Sequence, residues 1–587
     1  MPAPQHRKFT EFREFGGLWT AGEKLLMPTE AAQVMSGCSP QPGGGLRAWY
    51  KPVVVADAYG MNALDDLSHE ITGFGVLGFY ADNDPLVVVT MHRVPKEDGA
   101  YTEQRMLQWP VVASESSAEL RWQQVTDGAE PFDGVDEIDG TGIRTGRGVR
   151  TVVALAGTTL GADLGTWFMN ALGGFGGGYR EGYEGGYGTD NGAGIYEVTV
   201  TPGQLPSNIT LERHPGLQGL DAEDLGPVIG HQSRLVMAAR NGLMFTTPGL
   251  YDFPNDIGDG DNWLVLGSGS YDRPESHPAW MLSVPPSDLL VATHRGDLFN
   301  IQGDLGDPTV RELSKSLVSM PHLPKNTAYG PAVILPSTGP VILSFDGSFQ
   351  ELASNIDARA WFVEDDFGFF GSLDFVNHQL FAPNQHTFTD DERISNGMLV
   401  YDFRTKAWFT STHPDLVSVP TPRFMFVEGA RKEGGVVLFT GDTLSTSDAG
   451  APVMVRHPLL SGAQNRSSVF EWVSSPVRDP EGRRVDGQSV EIATRALGVY
   501  GAVDITLSNG TDSETHTIDV PEGTSTTVVS FRQIKGSYIE VGVKSRSNDE
   551  DTEAPMVDFV RLGWVALEDP AYRPSLGGFR NGFAEGF

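Results

Sequence analysis

Adjacent carboxylates are the residues of this chain best suited to acid-base chemistry. Glycoside hydrolases work with two carboxyl groups about 5 to 10 Å apart, and acidic pairs stand at Asp65-Asp66, Asp365-Asp366 and Asp390-Asp391. Adjacent pairs are expected by chance among 76 acidic residues, and neighbouring residues of a strand point to opposite faces of a sheet. The sequence contains neither Gly-x-Ser-x-Gly nor His-Glu-x-x-His, the signatures of serine hydrolases and zinc proteases. We therefore predict that the protein is not an enzyme, and we assign no catalytic residues.

The loop at 256–262 has the oxygen ligands that Ca²⁺ prefers, in Asp256, Asp259 and Asp261. An EF-hand needs ligands at its positions one, three and five, and glycine occupies positions three and five here. We interpret the segment as an ordinary loop, with a structural Ca²⁺ as the alternative. The thirteen histidines show no paired metal-ligand spacing, and a single cysteine, Cys38, excludes an intrachain disulfide and a cysteine-based metal site. We predict no metal and no cofactor.

Predicted β-hairpins provide the frame for these residues, and the clearest lies at 287–313. Its apolar run 289–292 is typical of a buried strand, and the residues after the next turn alternate in polarity. Similar hairpins lie at 228–246, 333–352, 367–381 and 398–410. Their spacing of about 40 to 60 residues is that of propeller blades, so we predict a β-propeller at 51–465. His231 and His294 are interpreted as turn or core residues.

Composition favours an all-β protein. Glycine (71) and proline (38) are abundant among the 587 residues, and without a Gly-X-Y period this abundance indicates frequent turns between short strands. The formal net charge is -34, which opposes attraction to DNA or to an anionic membrane. The charge serves either solubility and repulsion between copies, or the lining of a conduit through which DNA slides.

A glycine-rich and aromatic insertion at 173–194 interrupts the hairpins. The insertion neither follows a strand nor opens a helix in the nucleotide-binding pattern, and it lacks Gly-Lys-Ser/Thr, so phosphate binding is excluded. We predict a plain flexible loop. In the alternative interpretation, Tyr179, Tyr183 and Tyr187 contact a sugar or a neighbouring subunit.

Regular alternation of apolar and polar residues marks the region 466–568, for example at 490–494 and 503–507. Such alternation places one face of a strand in a core and the other in water. A region of about 100 residues with this pattern predicts a β-sandwich. The predicted fold is therefore an all-β chain with a β-propeller followed by a C-terminal β-sandwich.

Extended arms are predicted at both ends of the chain. Residues 1–50 place Phe15 and Trp19 beside glycines and polar residues, a pattern that indicates an arm docking on another surface. A glycine-rich tail at 569–587 has phenylalanines that would otherwise face water. The predicted subunit contacts are Phe15, Trp19, Tyr179, Tyr183, Tyr187, Phe579, Phe583 and Phe587.

Several loose motifs together resemble one family. They are FGGL at 15–18, GGGLR at 43–47, HQSRLV at 231–236, the hairpin 289–313 with IQGDL at 301–305, YD-x4-AWF at 401–409, and the terminal sandwich. The chain thereby resembles the propeller-type structural proteins of tailed bacteriophages, which include minor tail proteins and tail-nozzle-like proteins. The resemblance covers most of the chain and transfers no catalytic residue.

The resemblance implies a structural component of a virion tail, at the tail tip or baseplate, that contributes to tail assembly and host attachment. A tail nozzle or head-to-tail component that lines the DNA exit channel is the alternative within this class. A carbohydrate-binding or carbohydrate-cleaving propeller is the alternative from another class. The expected partners are other copies of the chain, other tail proteins and a host cell-surface glycan, without sequence-specific nucleic acid.

The expected location is the virion, after synthesis in the host cytoplasm. The sequence has no apolar run approaching the roughly 20 residues that span a bilayer, so we predict no membrane insertion. The N-terminal residues contain no hydrophobic signal segment.

Overall fold

The computed structural model divides the chain into two compact units, Met1–Trp49 with Arg466–Phe587, and Tyr50–Asn465. We call them the terminal unit and the central unit. The described residues are 7–20, 23–49, 53–54, 70–77, 86–95, 101–111, 123–124, 151–152, 158–159, 165–171, 194–200, 209–213, 225–232, 234–239, 242–247, 262–266, 278–293, 296–314, 322–335, 338–344, 348–356, 371–376, 378–382, 399–410, 424–425, 435–439, 453–457, 469–496, 501–547 and 554–567.

Strands make up nearly all of the regular structure, which confirms the all-β prediction for the described residues. The N-terminal segment has β1 (Lys8–Phe12), a 3-10 helix (Lys24–Leu26), β2 (Ala32–Ser36), β3 (Cys38–Pro40) and β4 (Leu46–Ala48).

The central unit has β5 (Val53–Val54), β6 (Glu70–Leu77), β7 (Leu86–Pro95), β8 (Tyr101–Val111), β9 (Gln123–Gln124), β10 (Thr151–Val152), β11 (Thr158–Thr159), β12 (Gly165–Ala171), β13 (Gly194–Val200), β14 (Ile209–Arg213), β15 (Leu225–His231), β16 (Arg234–Ala239), β17 (Gly242–Phe245), β18 (Trp263–Val265), β19 (Pro278–Val284), β20 (Asp288–Thr293), β21 (Leu298–Gln302), β22 (Thr309–Ser314), β23 (His322–Leu323), β24 (Lys325–Thr327), β25 (Gly330–Leu335), β26 (Gly339–Leu343), β27 (Phe349–Glu351), β28 (Gly371–Ser372), β29 (Asp374–Val376), β30 (Gln379–Ala382), β31 (Leu399–Asp402), β32 (Ala407–Thr410), β33 (Phe424–Met425), β34 (Gly435–Phe439) and β35 (Val453–His457).

The C-terminal segment has β36 (Phe470–Ser474), β37 (Val485–Ala496), β38 (Gly501–Ser508), β39 (Ser513–Val520), β40 (Gly523–Gly536), β41 (Glu540–Ser547) and β42 (Met556–Ala566). Among the residues that the structure describes, no helix is long and apolar enough to cross a membrane.

In the central unit, four groups of four strands that follow one another in sequence pair antiparallel, and we refer to each group as a sheet. They are β15–β18, β19–β22, β24–β27 and β29–β32. Another four-stranded antiparallel sheet consists of β33, β34, β35 and β5, while the strands β6–β14 form one larger sheet. The pair β23 and β28 is parallel.

The sheet β19–β22 is buried on both faces, which explains the continuous apolar runs in its strands. Alternate side chains of a strand point to opposite faces, so one set packs on β15–β18 and the other on β24–β27. The first set contains Met281, Leu289, Val291, Phe299 and Ile301, and the second contains Trp280, Leu282, Leu290, Ala292 and Leu298. The fourth strand β22 is largely exposed, like β27 in the next sheet.

The central unit also joins the two ends of its own sequence. Val53 and Val54 of β5 pair with Arg456 and Val455 of β35. The strand β5 is therefore the fourth strand of a sheet whose other three strands come last in the unit. The first strands of successive sheets lie side by side, β15 with β19, β19 with β24, and β24 with β29.

The terminal unit contains two antiparallel sheets built from both ends of the chain. One sheet consists of β1, β3, β4, β42, β37 and β40, and within this unit β2, β36, β41, β38 and β39 form the other. Alternate residues of β38, namely Val503, Ile505 and Leu507, are fully buried. This alternation is the one that the sequence shows at 503–507.

The prediction that residues 1–50 form an extended arm is wrong for the described residues. Strand β1 pairs with β42 along its whole length, with Lys8 opposite Trp564 and Phe12 opposite Val560. Phe15 is 1% exposed and meets Trp472 edge-on, with the ring centroids 5.1 Å apart. The segment instead completes both sheets of the terminal unit, a pairing that leaves no local signal in the sequence.

A buried carboxylate ties the N-terminal strand to the C-terminal segment. The side chain of Asp479 is completely buried, and it accepts hydrogen bonds from Lys8 Nζ (2.8 Å) and Arg483 Nε (2.8 Å). The hydrogen bond from Arg483, helped by that from Lys8, holds the pKa of Asp479 far below its usual range despite burial. A carboxylate that accepts several charged hydrogen bonds is stabilised in its ionised form.

We expect Asp479→Asn to lower the free energy of unfolding of the terminal unit by about 2 kcal/mol, because the hydrogen bonds from Lys8 and Arg483 lose their charged acceptor. Glu481→Gln is the matched control, since Glu481 also contacts Arg483 (3.1 Å) but its side chain is 71% exposed. The control should change stability by less than about 0.5 kcal/mol. Urea unfolding of the full chain measures both values, and equal losses in the two variants would contradict the role of Asp479.

Candidate functional site

Neighbouring sheets of the central unit meet at their turns. Gln232, in the turn between β15 and β16, donates from Nε2 to the carbonyl oxygens of Ser287 (3.2 Å) and Gly303 (2.6 Å). Its Oε1 accepts from the backbone N–H of Leu305 (3.3 Å). Ser287 precedes β20, and Gly303 and Leu305 follow β21, so one glutamine joins two turns of the next sheet. We call this contact the Gln232 seam.

An equivalent contact forms between the sheets β24–β27 and β29–β32, and it is aromatic. Tyr329, in the turn between β24 and β25, stacks on Phe403 with ring centroids 4.1 Å apart and an interplanar angle of 10°. Its hydroxyl is 2.9 Å from Nδ1 of His378. Phe375 meets both rings edge-on, at 6.2 Å from Tyr329 and 5.8 Å from Phe403. We call these four residues the Tyr329 seam.

Each seam contains a residue of a tight hairpin connection. Gln232 follows His231, which pairs with Arg234, and His378 precedes Gln379, which pairs with Val376. Gln232 (φ 52) and His378 (φ 65) adopt the left-handed conformation that such tight turns favour. The turns therefore fix where each side chain projects, although their sequences differ.

The two seams close the same kind of junction with different chemistry. Gln232 closes its junction by hydrogen bonds to backbone groups, whereas Tyr329 closes its junction by stacking and stays 46% exposed. Large hydrophobic side chains that remain exposed in a cluster often mark a binding surface. Because a junction of this kind closes without an aromatic ring, the exposed ring of Tyr329 makes its seam the candidate site.

A buried carboxylate supports the turn that carries Phe403. Asp402 accepts hydrogen bonds from the backbone N–H of Arg404 (2.8 Å), from Arg404 Nε (3.0 Å) and from Gln379 Nε2 (2.9 Å). Burial raises the pKa of Asp402, but the bonds from Arg404 and Gln379 outweigh burial and leave that pKa below its usual value. Nearby, Trp408 Nε1 donates to the carbonyl of Leu352 (2.7 Å). The YD-x4-AWF motif thus serves to hold the strands β31 and β32 in place.

His231 is a core residue at the end of β15. It is 4% exposed, and its Nδ1 lies 2.8 Å from the hydroxyl of Ser283 in the first strand of the next sheet. Burial lowers the pKa of His231, because desolvation disfavours the charged imidazolium. The neutral imidazole is therefore the form that the folded central unit favours.

We predict that His231 makes the central unit less stable as the pH falls below about 6.5, the usual histidine value. Below that pH the unfolded chain binds a proton that folded His231 resists, so stability decreases by up to about 1.4 kcal/mol per pH unit. His231→Asn should reduce the difference between melting temperatures at pH about 7.5 and about 5.5. His516→Asn, at an imidazole that is 39% exposed, is the control. If both variants retain the full wild-type difference, His231 is not responsible.

The other residues singled out from the sequence fall into two groups. The prediction that Phe15 is a subunit contact is wrong because Phe15 is buried within the terminal unit. Trp19 is half-buried, and its backbone N–H donates to the carbonyl of Ala32 (2.9 Å). The contact role of Trp19 stays a prediction. The remainder lie outside the described residues: Tyr179, Tyr183, Tyr187, Phe579, Phe583, Phe587, the three acidic pairs, Asp256, Asp259, Asp261 and His294.

In the described part of the chain, no three His, Cys, Asp or Glu residues lie close enough together to hold a metal ion. Cys38 is completely buried, and burial raises the pKa of its thiol well above the usual value. The thiolate is the form that binds metals and reacts, so Cys38 is a packing residue of the terminal unit.

Comparisons with known proteins give structural likenesses only. No protein-family model and no curated protein matches the chain. The exo-β-1,3-galactanase of Phanerochaete chrysosporium has 8% identity and a TM-score of 0.26 over 83% of this chain and 95% of its own. BamB of Moraxella catarrhalis has 11% identity and a TM-score of 0.23 over 60% and 92%. TmCBM61, solved with β-1,4-galactotriose, has 15% identity and a TM-score of 0.14 over 23% and 86%.

The names of these structures correct one prediction from the sequence. A galactanase and a protein named as a glycoside hydrolase are among the neighbours, which contradicts the prediction that the chain is not an enzyme, and we withdraw it. The likenesses are too low to carry an argument for an activity of this chain. None of these four structures is named as a phage protein, and the resemblance to tail proteins stays a prediction.

Proposed function

We propose that the central unit is a β-propeller and that the terminal unit is a β-sandwich. Sequential four-stranded groups support the propeller, and so does the packing of β19–β22 against a neighbouring sheet on each face, because blades pack face to face around an axis. The pairing of β5 with β35 supports it further, since joining the first and last strands in one sheet closes a ring of blades. Two sheets with alternating buried residues support the sandwich.

We propose that the Tyr329 seam binds a carbohydrate. The observation that carries this proposal is the 46% exposed ring of Tyr329, held in place by Phe403 and by the hydroxyl contact with His378. Aromatic side chains with one polar end suit ligands that are partly apolar and partly wet. The C–H face of a pyranose ring packs on the aromatic surface, while Tyr329 and His378 offer hydrogen-bonding groups to its hydroxyls.

The geometry keeps the seam rigid before a ligand arrives. Phe403 belongs to the turn that Asp402, Arg404 and Gln379 hold together, and its backbone N–H donates to the carbonyl of His378 (3.0 Å). A preformed surface loses little conformational entropy on binding. Weak ligands such as single sugar rings need a binding surface that is ordered beforehand, and the seam provides one.

The test is binding of the full chain to an array of immobilised neutral glycans, followed by titration calorimetry with the strongest ligand. We expect Tyr329→Ala to weaken binding about tenfold or more, which corresponds to the roughly 1.4 kcal/mol of a good aromatic contact. Tyr329→Phe, which keeps the ring but loses the hydroxyl, should weaken binding less. Product analysis after incubation reveals any cleavage of the glycan.

Phe349→Ala is the matched control, because Phe349 is also an exposed aromatic residue of the central unit, at 40% exposure, but lies outside the seam. The control should bind like the wild type. The proposal is wrong if the wild-type chain binds no glycan, or if Tyr329→Ala binds as tightly as the control while melting at the same temperature.

As a second proposal, the chain is a structural component of a bacteriophage tail, at the tail tip or baseplate, with the tail nozzle as the alternative position. The motifs that resemble tail proteins support this proposal, and a glycan site suits a protein that contacts a host cell surface. We expect gold-labelled antibody against the chain to mark purified particles in negative-stain micrographs. Label at the distal tail end supports a tip protein, and label at the neck supports a nozzle. Label confined to soluble protein would exclude a virion component.

A further inference from the structure

The outer face of one sheet in the terminal unit exposes large apolar side chains. Phe9 of β1 is 59% exposed and Val528 of β40 is 62% exposed. Strand register places Glu11, Arg561, Glu491 and Val528 in one row across β1, β42, β37 and β40. We call this surface the β1–β40 face.

The net charge of this face differs in sign from the net charge of the whole chain. Contacts and strand register assign it these cations: Arg7, Arg13, Arg495, Lys535 and Arg561. They assign it these carboxylates: Glu11, Asp486, Glu491 and Asp558. The face therefore has more cations than carboxylates, whereas the chain has 42 basic and 76 acidic residues.

Several of these charges are ordered across neighbouring strands. Arg561 donates from Nε to Glu11 (2.9 Å) and from Nη1 to Glu491 (2.9 Å). Its guanidinium also lies 5.3 Å from the ring centroid of Phe559, on whose ring Arg13 lies at 5.6 Å. Ordered arginines and exposed apolar side chains are the mixture that is enriched in protein interfaces.

We propose that the β1–β40 face binds the acidic surface of a second copy of this chain. A net charge of -34 makes two copies repel each other over most approaches. The β1–β40 face is a surface with excess cations, so it is complementary to the average surface of another copy. The contact joins two different surfaces and is therefore heterologous, the kind that builds rings or open arrays rather than closed two-fold dimers.

Sedimentation velocity of the full chain tests the proposal at about 0.1 M salt, where the Debye length of about 10 Å screens long-range repulsion but not a direct contact. We expect the wild-type chain to self-associate at about 0.1 mM and to dissociate at about 1 M salt, where the Debye length is about 3 Å. Val528→Glu should weaken association about tenfold or more, because it places a carboxylate beside Glu491 and lowers the charge of the face. Phe9→Glu repeats the test from β1.

Phe349→Glu is the control, since it makes the same kind of change at an exposed residue of the central unit. This control should associate like the wild type, and thermal melting verifies that each variant is folded. A wild-type chain that stays monomeric at about 0.1 mM overturns the proposal. Equal loss of association in Val528→Glu and Phe349→Glu also overturns it, because overall charge would then explain the effect.

Discussion

Both compact units depend on pairing between strands from opposite ends of their sequences. In the terminal unit β1 lies along β42, and Lys8 reaches the buried carboxylate of Asp479. In the central unit β5 joins the sheet of β33–β35. Closing such long loops has an entropic cost that grows slowly with length. The contacts made at closure must therefore be strong. The completely buried carboxylate of Asp479, which accepts hydrogen bonds from Lys8 and Arg483, is an example.

Burial of the sheets determines at which positions the central unit tolerates changes of sequence. The strands β20 and β21 are buried on both faces, so a substitution there disturbs packing against one neighbouring sheet or the other. The turns are less constrained, and binding residues are concentrated on such segments in many proteins. The two seams illustrate this freedom, because a glutamine in one and a tyrosine in the other close equivalent junctions.

Local patterns in the sequence predict the strands but not their distant partners. The run 289–292 and the alternation at 503–507 both correspond to strands, since burial on two faces or on one face is visible residue by residue. The pairing of β1 with β42 has no such signal, so the sequence alone suggests an exposed contact at Phe15, which is buried. Tyr329 and His378 escape sequence analysis because each is a single residue in a short turn. Their proximity depends on how two sheets pack, and no local pattern encodes that.

The motifs behind the resemblance to tail proteins are structural where the structure describes them. Asp402 and Trp408 hold strands and turns in place, and Gln232 joins two sheets. Such residues are required by the architecture, whatever ligand the protein binds. The resemblance therefore bears on how the chain folds, while the function has to be sought in exposed groups such as the ring of Tyr329.

The separation of β1 and β42 along the chain also matters during synthesis. Residues 8–12 are made more than 500 residues before their partner strand at 556–566. At about 5 to 20 residues per second, the first strand waits on the order of a minute for its partner. During that time the backbone hydrogen-bonding groups of β1 are without their native partners in β42. The central unit, at 50–465, is synthesised within that interval, so we expect it to fold before β1 pairs with β42.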